Sequence, residues 1–165
     1  MGCGKSSVGR KLSELLCCPF IDLDSVTEER AGRSIPEIFA SEGEAAFRAM
    51  ELDALRTILT DSGVEGVLSL GGGTVMTKEC ADLVHEQTKC IYLRASIDTL
   101  VRNLKDEAEG RPMLNGSNQV DTLRNRIEEL MSVRSSTYEA TAHVIIDTDG
   151  KSVDSLAQEI ISRLK

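Results

Sequence analysis

The chain opens with Gly2, Cys3, Gly4, Lys5, Ser6 and Ser7, and Val8, Leu12, Leu15 and Leu16 follow on one face of a helix. A glycine-rich turn that opens a helix directs backbone N–H groups and the positive end of the helix dipole at one point, which suits a phosphate. A lysine there reaches β- and γ-phosphates, and the hydroxyl of Ser6 is a ligand for Mg2+. The full pattern G-x-x-x-x-G-K-[ST] has its first glycine two positions before Met1.

Other residues supply acid–base and cationic chemistry. Asp22 and Asp24 lie two apart in "FIDLD", so on a strand they share one face. One carboxylate can serve Mg2+ while the other orients or deprotonates a hydroxyl. Taken alone, Asp24 would be read as a helix N-cap. Arg48 and Glu51 are three apart on a helix, so the carboxylate can brace the guanidinium. Arg111 stands in a Gly/Pro/Asn-rich stretch and can close over a transferring phosphoryl group. Arg134 is a further helical cation, ambiguous by itself. Gly71, Gly72 and Gly73 directly follow an apolar run, which allows φ > 0 and close backbone approach to a ligand.

These residues need elements to hold them. Pattern and punctuation predict helices over 5–17, 25–31, 34–43, 44–61, 77–87, 96–105, 121–138 and 152–164, with Ser34 and Glu37 as a capping box. Strands are predicted over 19–24, 66–70, 89–95 and 143–147, and a mobile loop over 106–120. Alternating strands and helices imply an α/β fold with a parallel sheet, and residues 1–165 are read as one domain.

The net charge of −8 argues against a nucleic-acid surface but not against a small anionic substrate, because a few cations in one cleft dominate the local field. No apolar run has the length of a membrane span. Five cysteines without a C-x-x-C read as reduced, mostly buried thiols of a cytoplasmic protein. Zinc is not expected, since His85 and His143 lack ligand spacing.

In order, "GCGKS", "FIDLD", "SIPEIF", "GEAAFRAME", "LSLGGG", "GRPML" and "RSSTY" resemble the shikimate kinase family over nearly the whole chain. The resemblance implies a P-loop NTPase-type sheet of strand order 2-3-1-4-5, a substrate-binding helical segment over 25–61 and an ATP lid over 106–120. It implies transfer of the ATP γ-phosphoryl group to the 3-hydroxyl of shikimate, in chorismate and aromatic amino acid biosynthesis, with Mg2+ as cofactor. Lys5, Asp24 and Arg111 would be catalytic. Gly2, Cys3, Gly4, Lys5, Ser6, Ser7, Arg102 and Arg111 would bind nucleotide, and Ser6 and Asp22 would serve the metal. Shikimate would meet Asp24, Arg48, Gly71, Gly72, Gly73, Arg134, Phe39 and Phe47. Adenine contacts are assigned loosely to Arg102 or Lys105 and to the Thr148-Asp149-Gly150 turn. The protein is expected to act as a monomer without nucleic-acid or membrane partners. The alternatives are a gluconate-kinase-like enzyme and a non-catalytic nucleotide-binding module. The strand that should precede the phosphate loop has no counterpart here. Met1 is therefore expected to be an internal methionine, with a gap in the sheet beside 66–70.

Overall fold

The computed structural model describes residues 2–60, 65–109 and 117–164, with the backbone alone at 106–109 and 117–120. The elements run α1 (Lys5–Leu16), β1 (Phe20–Asp22), α2 (Leu23–Ala31), α3 (Ile35–Thr60), β2 (Val67–Ser69), a 3-10 turn (Thr74–Met76), α4 (Lys78–Gln87), β3 (Ile91–Arg94), α5 (Ile97–Glu109), α6 (Ser117–Thr141), β4 (Val144–Asp147) and α7 (Val153–Leu164). Strands and helices alternate, in keeping with a P-loop NTPase-type α/β fold.

β1 pairs with β2 and β3 with β4, both in parallel. Among the described residues the two pairs are not hydrogen-bonded to each other. The order 2-3-1-4-5 would set a strand between β2 and β3, and no described strand stands there. The halves share a helical layer instead. Val67 of β2 and Ile91 and Leu93 of β3 pack on one cluster of Val8, Leu12, Ile146, Leu156 and Ile160 beneath α1 and α7. A second core under α2, α3 and α4 contains Leu23, Ala54, Leu55, Cys80 and Val84.

Local chemistry sets the boundaries. Gly43 breaks α3 at the expected point, with φ 82° and ψ 177°. Ser34 donates its hydroxyl to Glu37 Oε2 at 2.6 Å, and the same oxygen accepts the Ser34 N–H at 2.8 Å. This is the returning half of a capping box.

Three expectations need correction. The buried face of α1 is Val8, Gly9, Leu12 and Ser13, while Leu15 and Leu16 are each 44% exposed. Phe20 packs where a Cβ on Gly9 would lie, 2.7 Å from its Cε2, and this turns that face inward. Helices α5 and α6 reach further into 106–120 than expected, because Lys105 to Glu109 are mostly good helix formers. Residues 110–116, the centre of the anticipated lid with Arg111, lie outside the described residues. Of the five cysteines, all free, only Cys80 is buried, since the others fall at loops and strand ends.

Candidate active site

The loop before α1 holds Gly2 and Gly4 at φ 68° and 75°. No side chain caps α1, so its leading N–H groups stay open to an anion. Asn103 anchors the loop, donating to the Gly2 carbonyl at 2.6 Å. Ser6 and Ser7 are exposed and Lys5 is half-buried. Lys5 stands close enough to Asp24 to act on its charge.

Asp24 is not on a strand beside Asp22. The chain leaves β1 at Asp22 and enters α2 at once, and Asp22 Oδ1 accepts the N–H groups of Asp24 (3.1 Å) and Ser25 (3.3 Å). Asp22 is therefore the N-cap, and Asp24 stands in the first turn of α2. Burying Leu23 completely and satisfying two helix N–H groups favour that early start over two more strand residues. Burial, then the charges of Asp22 and Glu51, raise the Asp24 pKa above its ordinary 3.8, with Lys5 opposing them.

The glycine turn lies against these carboxylates. A Cβ on Gly71 would fall 2.8 Å from Asp24 Oδ1 and 3.1 Å from both Glu51 Oε1 and Thr74 Oγ1. A Cβ on Gly73 would fall 2.3 Å from Arg48 Nη2. None of the three glycines has positive φ, contrary to one reason offered for the run, so close approach alone requires Gly71 and Gly73.

Arg48 donates from Nη1 to Glu51 Oε2 at 2.8 Å and from Nη2 to Glu44 Oε1 at 3.2 Å. Burial works against the arginine charge, but Glu51 and Glu44 outweigh it and its pKa is raised. Glu51 is 1% exposed, so this pair is far from a solvated surface bridge, and removing Arg48 would strand a buried charge. Phe47 is buried and Phe39 is exposed on the outer side, their ring centroids 4.9 Å apart. Arg134, from α6, donates to the Gly72 carbonyl at 3.2 Å, and Tyr138 donates its hydroxyl to the same oxygen. A cavity of about 50 Å3 is bordered by Cys3, Tyr92, Met131, Arg134 and Tyr138, so the phosphate-type loop and α6 meet there.

Asp24, Arg48, Arg134 and the three glycines are thus brought together at the ends of β1 and β2, with Phe47 behind Arg48. Arg102 stands apart, exposed and bonded to Thr99 Oγ1 at 3.2 Å. It neighbours Asp149, whose pKa hydrogen bonds from Ser96 and Thr99 lower, with Arg102 adding to the effect. That places Arg102 and the 148–150 turn at one end of α5. The large open hollow between α4 and α6, about 550 Å3, includes none of the anticipated site residues.

Sequence reasoning missed Thr74, Tyr138 and Ser69. Ser69 is the polar residue of an apolar strand, which was its signal. It is 3% exposed, sits opposite Asp22 in the pairing, and its hydroxyl is buried with no hydrogen-bond partner. Among the described residues no three His, Cys, Asp or Glu side chains gather into a metal cage. The donors present are hard oxygens: the Ser6 and Ser69 hydroxyls and the Asp22 carboxylate. They fit Mg2+, which keeps several waters and takes few protein ligands beside phosphate oxygens.

A family model described as "Shikimate kinase" matches residues 1–165. The chain is 36% identical to the curated shikimate kinase of Dictyoglomus turgidum, over all of this chain and 93% of that one. It is 39% identical to that of Thermus thermophilus, over 99% of this chain and 85% of that one. The solved shikimate kinase of Bacteroides thetaiotaomicron superposes with a TM-score of 0.84 at 28% identity, covering 99% of this chain and 93% of that one. The enzyme of Acinetobacter baumannii, solved in complex with shikimate, gives 0.82 at 30% identity, covering 99% and 88%. Among the described residues no helix is long and apolar enough to cross a membrane.

Proposed function

This chain belongs to the shikimate kinase family, and from that premise we propose how its own residues carry out the family's reaction. It is an ATP-dependent kinase acting on shikimate, an alcohol-group phosphotransferase of aromatic amino acid biosynthesis. The transferred group goes to the 3-hydroxyl. The observation that carries the assignment is the convergence of two arginines, a partly buried aspartate and a glycine turn at the ends of β1 and β2.

The triphosphate lies on the loop from Gly2 to Ser7, held by the open N–H groups of α1 and by Lys5. Ser6 would hold Mg2+, with Asp22 and Ser69 beside it, and the ion would supply charge neutralisation between the phosphates. Arg48 and Arg134 grip the shikimate carboxylate, since planar guanidinium forks match it. Gly72 and Gly73 offer backbone to the ring, and Phe39 and Phe47 line its apolar side. Arg134 is at present bonded to the Gly72 carbonyl. When it turns to the carboxylate, Tyr138 keeps that carbonyl paired.

Asp24 accepts the proton of the 3-hydroxyl on its carboxylate. The hydroxyl oxygen bonds to the γ-phosphorus as the bond to the β–γ bridging oxygen breaks, and ADP leaves with those electrons. A carboxyl pKa raised by burial moves Asp24 toward the working pH, which makes it a better acceptor. Arg111 is assigned to the γ-phosphate and Arg102 to the nucleotide base. Five free cysteines and two small soluble substrates support a cytoplasmic setting.

A coupled ADP-release assay with shikimate, and with gluconate as the competing substrate, tests the assignment. Turnover of shikimate alone is expected. Turnover of gluconate, or ATP binding without turnover of either, overturns it. Full activity in Asp24→Ala would remove Asp24 from its role.

A further inference from the structure

Glu51 spends one oxygen on Arg48 and the other on Thr74, whose Oγ1 donates to Oε1 at 2.6 Å. Thr74 is fully buried, and its backbone N–H donates to the Gly71 carbonyl at 3.2 Å. One residue therefore bonds both the glycine turn and the carboxylate that holds Arg48. Arg48 has a second partner on the solvent side: Glu44, with a side chain 67% exposed. Two carboxylates on one helix face thus share the guanidinium, buried Glu51 one turn after Arg48 and exposed Glu44 one turn before it.

We infer that Thr74 is a positioning residue for substrate binding: its hydroxyl holds Glu51 so that Glu51 keeps Nη1 of Arg48, and the guanidinium stays against the glycine turn and does not pass wholly to Glu44. The inference rests on Arg48 gripping the substrate carboxylate, as assigned above. Without the hydroxyl, Glu51 Oε1 is buried with no donor, an arrangement that costs more than the hydrogen bond itself. The carboxylate relieves this by turning, and the change loosens its hold on Arg48. Glu44, already at 3.2 Å, then gains the guanidinium. Substrate must pull Arg48 back before it can bind.

The test is steady-state kinetics and thermal melting of Thr74→Val, Thr74→Ser and the double variant Thr74→Val/Glu44→Gln. Valine keeps the shape of threonine and removes only the hydroxyl's bonding. Thr74→Val is expected to raise KM for shikimate about tenfold, the scale of one buried hydrogen bond to a charged group, with KM for ATP unchanged and kcat within about twofold. Thr74→Ser is expected to restore KM. Glu44→Gln, added to Thr74→Val, is expected to recover most of the loss, because it weakens the outward competitor. A general packing defect would give none of this pattern. Thr74→Ala replaces Thr74→Val if the latter does not fold, with the same expectations. An unchanged shikimate KM, an equal rise in both KM values, or no recovery with Glu44→Gln overturns the inference. Wild-type protein that fails to phosphorylate shikimate would instead overturn the functional assignment, so the two failures are distinct.

Discussion

Replacing Gly73 by alanine puts a methyl group where the Arg48 guanidinium now lies. The new Cβ would stand 2.3 Å from Nη2, 2.9 Å from Cζ and 3.0 Å from Nη1. Nη2 must retreat by about 1.1 Å to reach the 3.4 Å of ordinary contact. The hydrogen bond from Nη1 to Glu51 is 2.8 Å, so a rigid shift of that size takes it out of bonding range. The backbone is not the main obstacle: Gly73 has φ −108° and ψ −4°, a negative-φ bridge conformation open to alanine. The group that must move is the far end of a flexible side chain, so the protein should still fold, with Tm lowered by about 3–12 °C for the roughly 1.5–3 kcal/mol bond that buried Glu51 loses. The loss falls on substrate binding. A charge-assisted bond of roughly 1.5–3 kcal/mol corresponds to a rise of about 10- to 100-fold in KM for shikimate. Initial rates with shikimate varied at saturating ATP, then ATP varied at saturating shikimate, separate the effects. KM for ATP should stay within about twofold of wild type, because nothing at the phosphate loop has moved. An unchanged shikimate KM would refute the reasoning. So would a collapse of Tm with loss of both substrates.

Asp24→Asn should lower kcat by about 10²-fold or more, the ordinary worth of a positioned proton acceptor. The same change should stabilise the protein at pH 8. The folded-state pKa of Asp24 is raised, so its contribution to stability is present below the unfolded pKa and lost as pH rises through the folded one. Melting curves should therefore favour the variant at pH 8 and converge with wild type near pH 3; a difference that grows on acidification would contradict the sign. For the wild-type enzyme, the acid limb of kcat/KM for shikimate should lie above the usual aspartate range, and a limb at or below 3.8 would detach it from Asp24. Ser34→Ala removes a cap from α3, so Tm should fall by about 3 °C with KM for ATP unchanged.

Much of this site was legible because its residues announce themselves locally. Gly-x-Gly-Lys-Ser before a patterned helix, three glycines after an apolar strand, and an Arg-x-x-Glu spacing each have a short-range physical reason, and the structure gathers those residues. Gly43 broke its helix where sequence put the break. What sequence did not show depends on which competing local interaction wins. Asp22 and Asp24 fit a strand equally well until Asp22 is seen capping a helix that begins between them. Leu15 and Leu16 fit the apolar stripe of α1 until Phe20 claims Gly9 and rotates the helix. Thr74 and Tyr138 carry no local mark of function, since each acts through a partner distant in the chain, Glu51 and Gly72, whereas Ser69 was marked only as the polar residue of an apolar strand.

The contact between α6 and the glycine turn bears on motion as well as form. Among the described residues the helices α1, α7 and α6, and not a ladder of backbone bonds, join one pair to the other. Arg48 belongs to the β1–β2 half, whereas Arg134 reaches the glycine turn from α6, which packs on α5. A carboxylate gripped by both arginines would add a charged strut between α3 and α6 to the bonds at Gly72, and hydrogen exchange in the glycine turn should slow when it is in place.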